Sequence, residues 1–333
     1  MKEHLIRYLV CPDCRGSLRY NNIQKAEKEI KEGLLICEVC KKQYPIRNFI
    51  PRFAEGELCQ AAQKTQRAWG YQWTVFDELH ESYKEQFLDW IAPITPDFFQ
   101  GKVIADAGCG MGRFTRLAAE FGARDVIGFD ISPAVESAWK LSGRLDNLHF
   151  IQADIHSLPL KADFDLVYSI GVLHHLPDPE QGFRDICRLL NNGGTLSIWV
   201  YGYENNEFIV KYLNPFRENV TSRIPLSVLY FLTFILNVSV HIVLKSIYLP
   251  VDSCNTLKFF KPFLPYRDYL SWLARYNFRH NHHVIFDHLV APIAHYIPRR
   301  EIEGWFLKEG MSEVSITSRN NNSWRGSGIL KMK

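Results

Sequence analysis

The stretch VIADAGCGMGRFT, residues 103–115, governs how the rest of the chain is read. It opens on a short apolar run, passes through Gly108, Gly110 and Gly112, and then sets Phe114, Leu117, Ala118 and Phe121 at helical spacing. The pattern is strand, tight turn, helix. Glycines at such a turn permit left-handed backbone and let a ligand approach bare main chain. The spacing G-x-G-x-G departs from the G-x-G-x-x-G of dinucleotide-binding turns, which speaks against a nicotinamide cofactor.

Working outward, further β-branched runs at Asp125–Phe129, Leu148–Gln152, Phe164–Ser169 and Thr195–Val200 join the first at Lys102–Ala105. Continuous apolar strands alternating with helical patterns indicate a parallel sheet covered on both faces. Ser132-Pro133 and Asp178-Pro179 each supply an N-cap followed by proline at the first helical position, and Asn191-Asn192-Gly193-Gly194 stops the second helix. The predicted fold is α/β: a Rossmann-like, doubly wound seven-stranded sheet, with EVSITSR (313–319) and GILKMK (328–333) as its last strands. Asp106, Asp130 and Asp154 each fall at a strand end, where sheets of this kind bind ligands. Asp130, twenty residues beyond Gly110, is placed to accept hydrogen bonds from ribose hydroxyls.

These stretches, with VIGFDIS, QADIHSLPL, FDLVYSIGVLHHLPDP and RLLNNGGTLSIWVY, resemble the class I S-adenosylmethionine-dependent methyltransferases, nearest the small-molecule branch that includes quinone-biosynthesis enzymes. The resemblance spans roughly residues 100–202 and resumes at 297–333. It implies that Gly108, Gly110 and Gly112 shape the turn beneath the methionine moiety, with Asp106 and Arg113 near its amino and carboxylate ends. By the same likeness Asp130 and Ile131 belong at the ribose, Asp154 and Ile155 at the adenine, and Ser169 to Gly171 under the sulfonium. Trp69-Gly-Tyr-Gln-Trp73 is expected at the rim of that pocket.

Methyl transfer needs alignment of the acceptor and, for a hydroxyl, removal of a proton. His174 and His175, just after the fourth strand, are the candidate bases, since a neutral imidazole titrates near the working pH. A second group, His280, His282, His283, Asp287 and His288, reads as polar lid residues in preference to a metal site. No Asn/Asp-Pro-Pro-Tyr/Phe or Pro-Cys follows the fourth strand, which disfavours amino-methylating and cytosine-C5 chemistries.

At the N-terminus, Cys11-Pro-Asp-Cys14 and Cys37-Glu-Val-Cys40 are two C-x2-C knuckles 22 residues apart. Two such turns close a tetrahedral shell of four thiolates, a structural zinc site with no open position for catalysis. YLVCPDCRGSL, GLLICEVCKKQYPI and IRNFIPRF resemble the zinc-ribbon activator subunits of tRNA and protein methyltransferases. That resemblance implies a binding module, here fused to an enzyme.

Between the fifth strand and Pro298 lie nearly 100 residues outside the minimal fold. Pro225 to Leu244 carries no full charge and is bounded by Arg223 and Lys245. Its length would span a bilayer, yet the last two strands must return to the sheet that the fifth strand left. A helical cap, with this run packed inward or against a membrane surface, meets both demands. Lys258 to Arg279 mixes aromatic and basic side chains, suiting a lid, an interface or stacking on RNA.

The expected layout is a ribbon over 1–56, a linker with N-terminal helices over 57–100, the cofactor-binding core over 101–202, the cap over 203–296 and closing core elements over 297–333. The net charge is only +3, so no global basic field points to nucleic acid. Eight cysteines, four of them in knuckles and the others (Cys59, Cys109, Cys187, Cys254) scattered, indicate a reducing, cytoplasmic setting. The first expectation is methylation of a small-molecule or lipid-like acceptor on oxygen, with peripheral membrane contact through the insertion and a protein partner through the ribbon. The alternatives are an RNA or ribosome-associated methyltransferase docking through the ribbon, and a catalytically silent cofactor-binding partner.

Overall fold

Four short strands follow the N-terminal turn: β1 (Leu18–Ala26), β2 (Glu29–Cys37), β3 (Gln43–Arg47) and β4 (Ile50–Pro51), hydrogen-bonded in that order as an antiparallel sheet. The computed structural model describes residues 1–54, 60–76 and 82–331; Cys59, part of the expected linker and Met332–Lys333 lie outside the described residues. The polar stretch between the knuckles is the β1–β2 hairpin.

The large sheet comprises β5 (Val103–Ala107), β6 (Asp125–Asp130), β7 (Leu148–Gln152), β8 (Phe164–Ile170), β9 (Leu190–Tyr201), β10 (Met311–Arg319) and β11 (Ser323–Leu330), in the order β10-β11-β9-β8-β5-β6-β7. β7 through β9 run parallel, and the β10–β11 hairpin adds antiparallel beside β9. Two details depart from expectation. Asn191–Gly194 does not end a helix; the helix stops at Cys187, and the segment is absorbed as an irregularity within β9, between the pairs Phe164–Leu190 and Leu166–Thr195. The last strand begins at Ser323, so WRGSG belongs to it. Asp178 caps the helix Pro179–Cys187 by accepting the Gln181 amide at 2.9 Å, as read from the sequence. At the other expected cap Pro133 itself takes the position, and Ser132 only accepts the Ala134 amide through its hydroxyl.

Strand alternation divides the core between the two faces of the sheet. Val103, Ala105, Ile127, Phe129, Val167, Leu196 and Ile198 face one side, where they meet Phe183, Trp305 and Phe306 from two helices. Ile104, Val126, Leu166, Tyr168 and Trp199 face the other, packed on Phe87, Trp90, Phe114 and Ala138.

The ribbon shares the first of these cores. Leu5, Tyr8, Leu9 and Leu35 are buried in the same cluster as β5 and β6. Its backbone also pairs with the core: Val10 donates to Pro159 O, Lys161 to Tyr8 O, and Phe53 to Gln152 O, at 2.8–2.9 Å. Arg52 bridges in parallel to Gln152, so the ribbon covers the end of β7, the outermost strand, which would otherwise be an unprotected edge. This face of the ribbon is thus covered by its own chain.

Between β9 and the helix Arg299–Lys308 the chain is helical, with the long helix Leu226–Val243 lying on Phe278–Val290. Leu229, Thr233 and Asn237 make the buried stripe of the long helix. Most of its apolar side chains are exposed, so the inward-packed form of the expectation is not what the fold adopts.

Candidate active site

The turn after β5 is built on left-handed backbone: Gly108, Gly110 and Gly112 have φ of 83°, 53° and 76°. A side chain at Gly108 would place its Cβ 2.3 Å from Val172 Cγ2, and one at Gly110 would sit 2.9 Å from the Trp73 indole nitrogen. The close approach therefore demands glycine for space as well as for conformation. The Gly110 amide donates to Asp130 Oδ2 (3.0 Å) and the Ser132 amide to Oδ1 (2.8 Å). Burial raises the Asp130 pKa above the ordinary carboxylate value, and these donors work against that.

A cavity of about 250 Å³ opens above this turn. Of the sequence-derived residues, Gly108, Arg113, Asp130, Ile131, Asp154, Ile155 and His175 line it, as does Gly171. Others stand back from it. Asp106 is buried beneath the turn, where Oδ2 accepts the Thr115 hydroxyl at 2.7 Å; burial pushes its carboxyl up to about 7. Gly110 and Gly112 shape the turn from behind, and Ser169 ties β8 to β5 through its hydroxyl on Ala107 O (3.0 Å). His174 is fully buried, with neither ring nitrogen hydrogen-bonded, and stacks on Tyr201 at 3.9 Å. It does not line the cavity, so of the two candidate bases it is His175 that does, with the two rings 4.2 Å apart. His175 Nδ1 is 2.6 Å from Ile293 O, and burial holds its pKa down at about 4.

The helix Gln60–Val75 brings Trp69 against His175 (4.7 Å between rings) and Trp73 under Arg113 (5.0 Å), on the rim where the sequence put them. Trp90, Trp199, Tyr201, Tyr269 and Trp272 extend the aromatic lining.

The histidine group read from sequence as polar lid residues enters a polar array whose partners, Gln72, Tyr201 and Tyr269, the sequence did not assign. Asp287 accepts from Gln72 Nε2 (2.8 Å) and from the Tyr201 hydroxyl (3.1 Å), while His288 Nε2 meets the Tyr269 hydroxyl at 3.0 Å. All except Gln72 line the cavity. Burial opposes ionisation of Asp287, but the imidazoles of His283, His288 and His175 and the Gln72 amide outweigh it, leaving the pKa below the ordinary value. Burial lowers the His288 pKa below the ordinary imidazole value, with Asp287 opposing it. The sequence signal was the histidine group itself. Among the described residues that group does not converge as a metal set.

The four knuckle thiols do converge. Cys11 and Cys40 sulfurs are 3.6 Å apart, Cys14 and Cys37 3.4 Å, and all four lie within 4.8 Å of one another. Zinc–sulfur bonds of about 2.3 Å in a tetrahedron set sulfurs about 3.8 Å apart, so the donors fit a closed structural site. The Tyr44 hydroxyl lies 3.1 Å from Cys11 Sγ, and the Cys40 amide donates to Cys37 Sγ at 3.4 Å, the outer support such ligands use.

With that geometry in hand, the chain can be set beside known proteins. Residues 105–198 match the family described as Methyltransferase domain, and residues 2–48 the family described as Trm112p-like protein. An uncharacterised protein of Synechococcus is 36% identical over 104 residues, 29% of this chain and 25% of that one. A tRNA U34 carboxymethyltransferase of Shewanella pealeana is 31% identical over 135 residues, 38% of this chain and 39% of that one. The chain thus spans a quarter to two-fifths of the length of these curated relatives. A solved complex of the Haloferax volcanii Trm112 methyltransferase activator with a methyltransferase aligns at 16% identity and a TM-score of 0.46, over 82% of this chain and 98% of that one. The two matched families fall on the two sheets described above: the large sheet carries a methyltransferase domain and the small one a Trm112p-like ribbon.

Proposed function

We propose that the chain transfers a methyl group from S-adenosylmethionine to an acceptor held among the aromatic rings beneath the cap. The observation that carries this is one cavity lined both by Gly108, Asp130 and Asp154 and by Asp287, His288 and Tyr201. In this reading Asp130 and Ile131 hold the ribose, Asp154 and Ile155 the adenine, and Arg113 draws the methionine carboxylate. Asp106 supports the turn from below. Bound in the crevice, the sulfonium supplies an electrophilic methyl carbon. The chain's own residues align the acceptor and accept its proton, with His288, beside Asp287, as the base. His175 is the second candidate.

For the acceptor, the names of the curated relatives favour RNA over the small molecule expected from sequence, and a flat base suits stacking among Trp69, Trp199 and Tyr201. One observation keeps an apolar acceptor as the second reading: Arg113 and Arg319 are the guanidinium groups in the lining, and both are engaged, Arg113 with aromatic rings and Arg319 with Asp89. Incubating purified protein and methyl-labelled S-adenosylmethionine with total RNA or total lipid extract separates the readings. Ribonuclease-sensitive label supports RNA, and solvent-extractable label supports the apolar acceptor. Absence of both with cofactor binding intact rejects both acceptors, and absence of cofactor binding rejects the class of activity.

A further inference from the structure

The helix Leu226–Val243 is built inside out. Its buried positions, Leu229, Thr233 and Asn237, include two polar residues, and these are bonded inward: Thr233 Oγ1 meets His282 Nε2 at 3.0 Å, and Asn237 Nδ2 donates to Phe278 O at 3.0 Å. Val228, Phe231, Leu232, Phe234, Ile235, Leu236, Val238, Ile242 and Val243 are exposed, Phe231 to 62% and Ile242 to 60%. A helix on a water-facing surface shows the reverse pattern. So much contiguous apolar surface marks an interaction site.

We propose that this helix lies in the surface of an anionic lipid bilayer and docks the cap there. Three features select lipid over another protein. At 3.6 residues per turn the exposed apolar positions wrap on the order of 200° of the helix, more than one flat partner covers but natural for a helix sunk into acyl chains. The hydroxyl of Ser246, in the next turn, is satisfied within the helix, on Ile242 O at 2.6 Å, so it does not require water. Charge complements the headgroups: exposed Lys211, Arg223 and Lys258 accompany the apolar segments, and Phe208, Tyr212, Phe216, Phe259, Phe260 and Phe263 beside them are exposed too. Across 208–263 the acids are Glu218 and Asp252, and Asp252 is paired with Lys261 and Arg275.

A transmembrane arrangement fails on the neighbours. The stripe at Leu229–Asn237 packs along Phe278–Val290, whose Arg279, four histidines and Asp287 would have to enter the bilayer with it. β9 before the cap and β11 after it are hydrogen-bonded in one sheet. The helix therefore lies on the bilayer, whichever acceptor the cavity takes.

Flotation of the full chain with vesicles of phosphatidylcholine alone, or of equimolar phosphatidylcholine and phosphatidylglycerol, tests this. Binding to the anionic vesicles is expected, weaker to the neutral ones, and weakened about a hundredfold by the triple change Phe231→Ser, Ile235→Ser and Ile242→Ser. Reversing Lys211, Arg223 and Lys258 to Glu, a change that leaves the apolar helix intact, removes the preference for anionic vesicles. Failure of the unaltered protein to float with anionic vesicles overturns the proposal. So does equal flotation of the triple variant, and so does a dimer in sedimentation equilibrium that the triple change dissociates without any vesicle binding.

Discussion

The backbone amide of Gly110 donates to Oδ2 of Asp130 at 3.0 Å, tying the glycine turn after β5 to the acid that ends β6. The bond orients the carboxylate and fixes the turn in one stroke, so the two motifs act as a unit. Gly108→Ala attacks that unit from the other side, because its Cβ would collide with Val172 on left-handed backbone. Cofactor affinity should fall by more than about tenfold, or 1.4 kcal/mol, with modest loss of thermal stability. Titration calorimetry and a melting curve on the same sample measure both.

Zinc should be present at one equivalent per chain and should leave only with unfolding of the ribbon, since closed thiolate sites couple binding to folding. Cys11→Ala with Cys40→Ala should abolish it. Because Leu5, Tyr8 and Leu9 share the core of β5 and β6, metal loss should also lower the melting temperature of the large domain. Elemental analysis with calorimetric melting checks this; zinc-free protein with an unchanged melt would contradict it.

Acid should loosen the ribbon from the sheet. His149 Nε2 and His4 Nε2 both face Asp125 Oδ1, while Arg7 and the Tyr8 hydroxyl hold Oδ2 at 2.6 and 2.7 Å. Burial pulls the His149 pKa down to about 4, with Asp125 opposing. The unfolded ring takes its proton near 6.5, so between those values the unfolded state binds more protons and stability falls as pH drops. The loss is on the order of 2–3 kcal/mol across that window. Asp125, held below the ordinary carboxylate range although burial acts the other way, loses its contribution only at still lower pH. Asp106 works oppositely, since its raised carboxyl favours the folded state at low pH and loses that contribution as pH rises through about 7. Hydrogen exchange at Val10, Phe53 and Lys161 isolates the local effect, which should grow from pH 7 to pH 4.5.

With an acceptor in hand, Asp287→Asn and His288→Gln should lower kcat by about 10²–10⁴-fold and flatten the acid limb of the pH profile while sparing cofactor affinity. His174→Phe should preserve activity, because that ring makes no hydrogen bond and packs on Tyr201, His175 and Trp199 as another aromatic ring can. Loss of turnover in His174→Phe alone, in a protein that still binds cofactor, would return the base to one of the two positions read from sequence.

Much of this was legible before any coordinates. Local patterns carried it: the glycine turn, acids at strand ends, Asp178-Pro179 and the doubled knuckles are all set within a few residues. What escaped depends on contacts far apart in the chain. The cluster of His149 on Asp125 is completed by Arg7 and Tyr8, which arrive from more than a hundred positions away. Asp287 was visible as an acid among histidines, yet its partners Gln72 and Tyr201 come from other elements. Asn191–Gly194 has the composition of a helix stop, but pairing with β8 draws Leu190 into the strand and folds the glycines into an irregularity. The apolar cap helix was plain in composition, whereas its orientation was set by Thr233 and Asn237 finding partners on Phe278–Val290.

The central claim is that the crevice between Gly108, Asp130 and Asp154 takes S-adenosylmethionine, and calorimetric titration of the purified chain tests it most directly. Unaltered protein should bind S-adenosylmethionine and not a nicotinamide dinucleotide, and Asp130→Ala should weaken binding by about 1–3 kcal/mol, the cost of leaving buried hydroxyls unpaired. Unchanged affinity in a folded Asp130→Ala protein, or preference for the dinucleotide, would contradict the account.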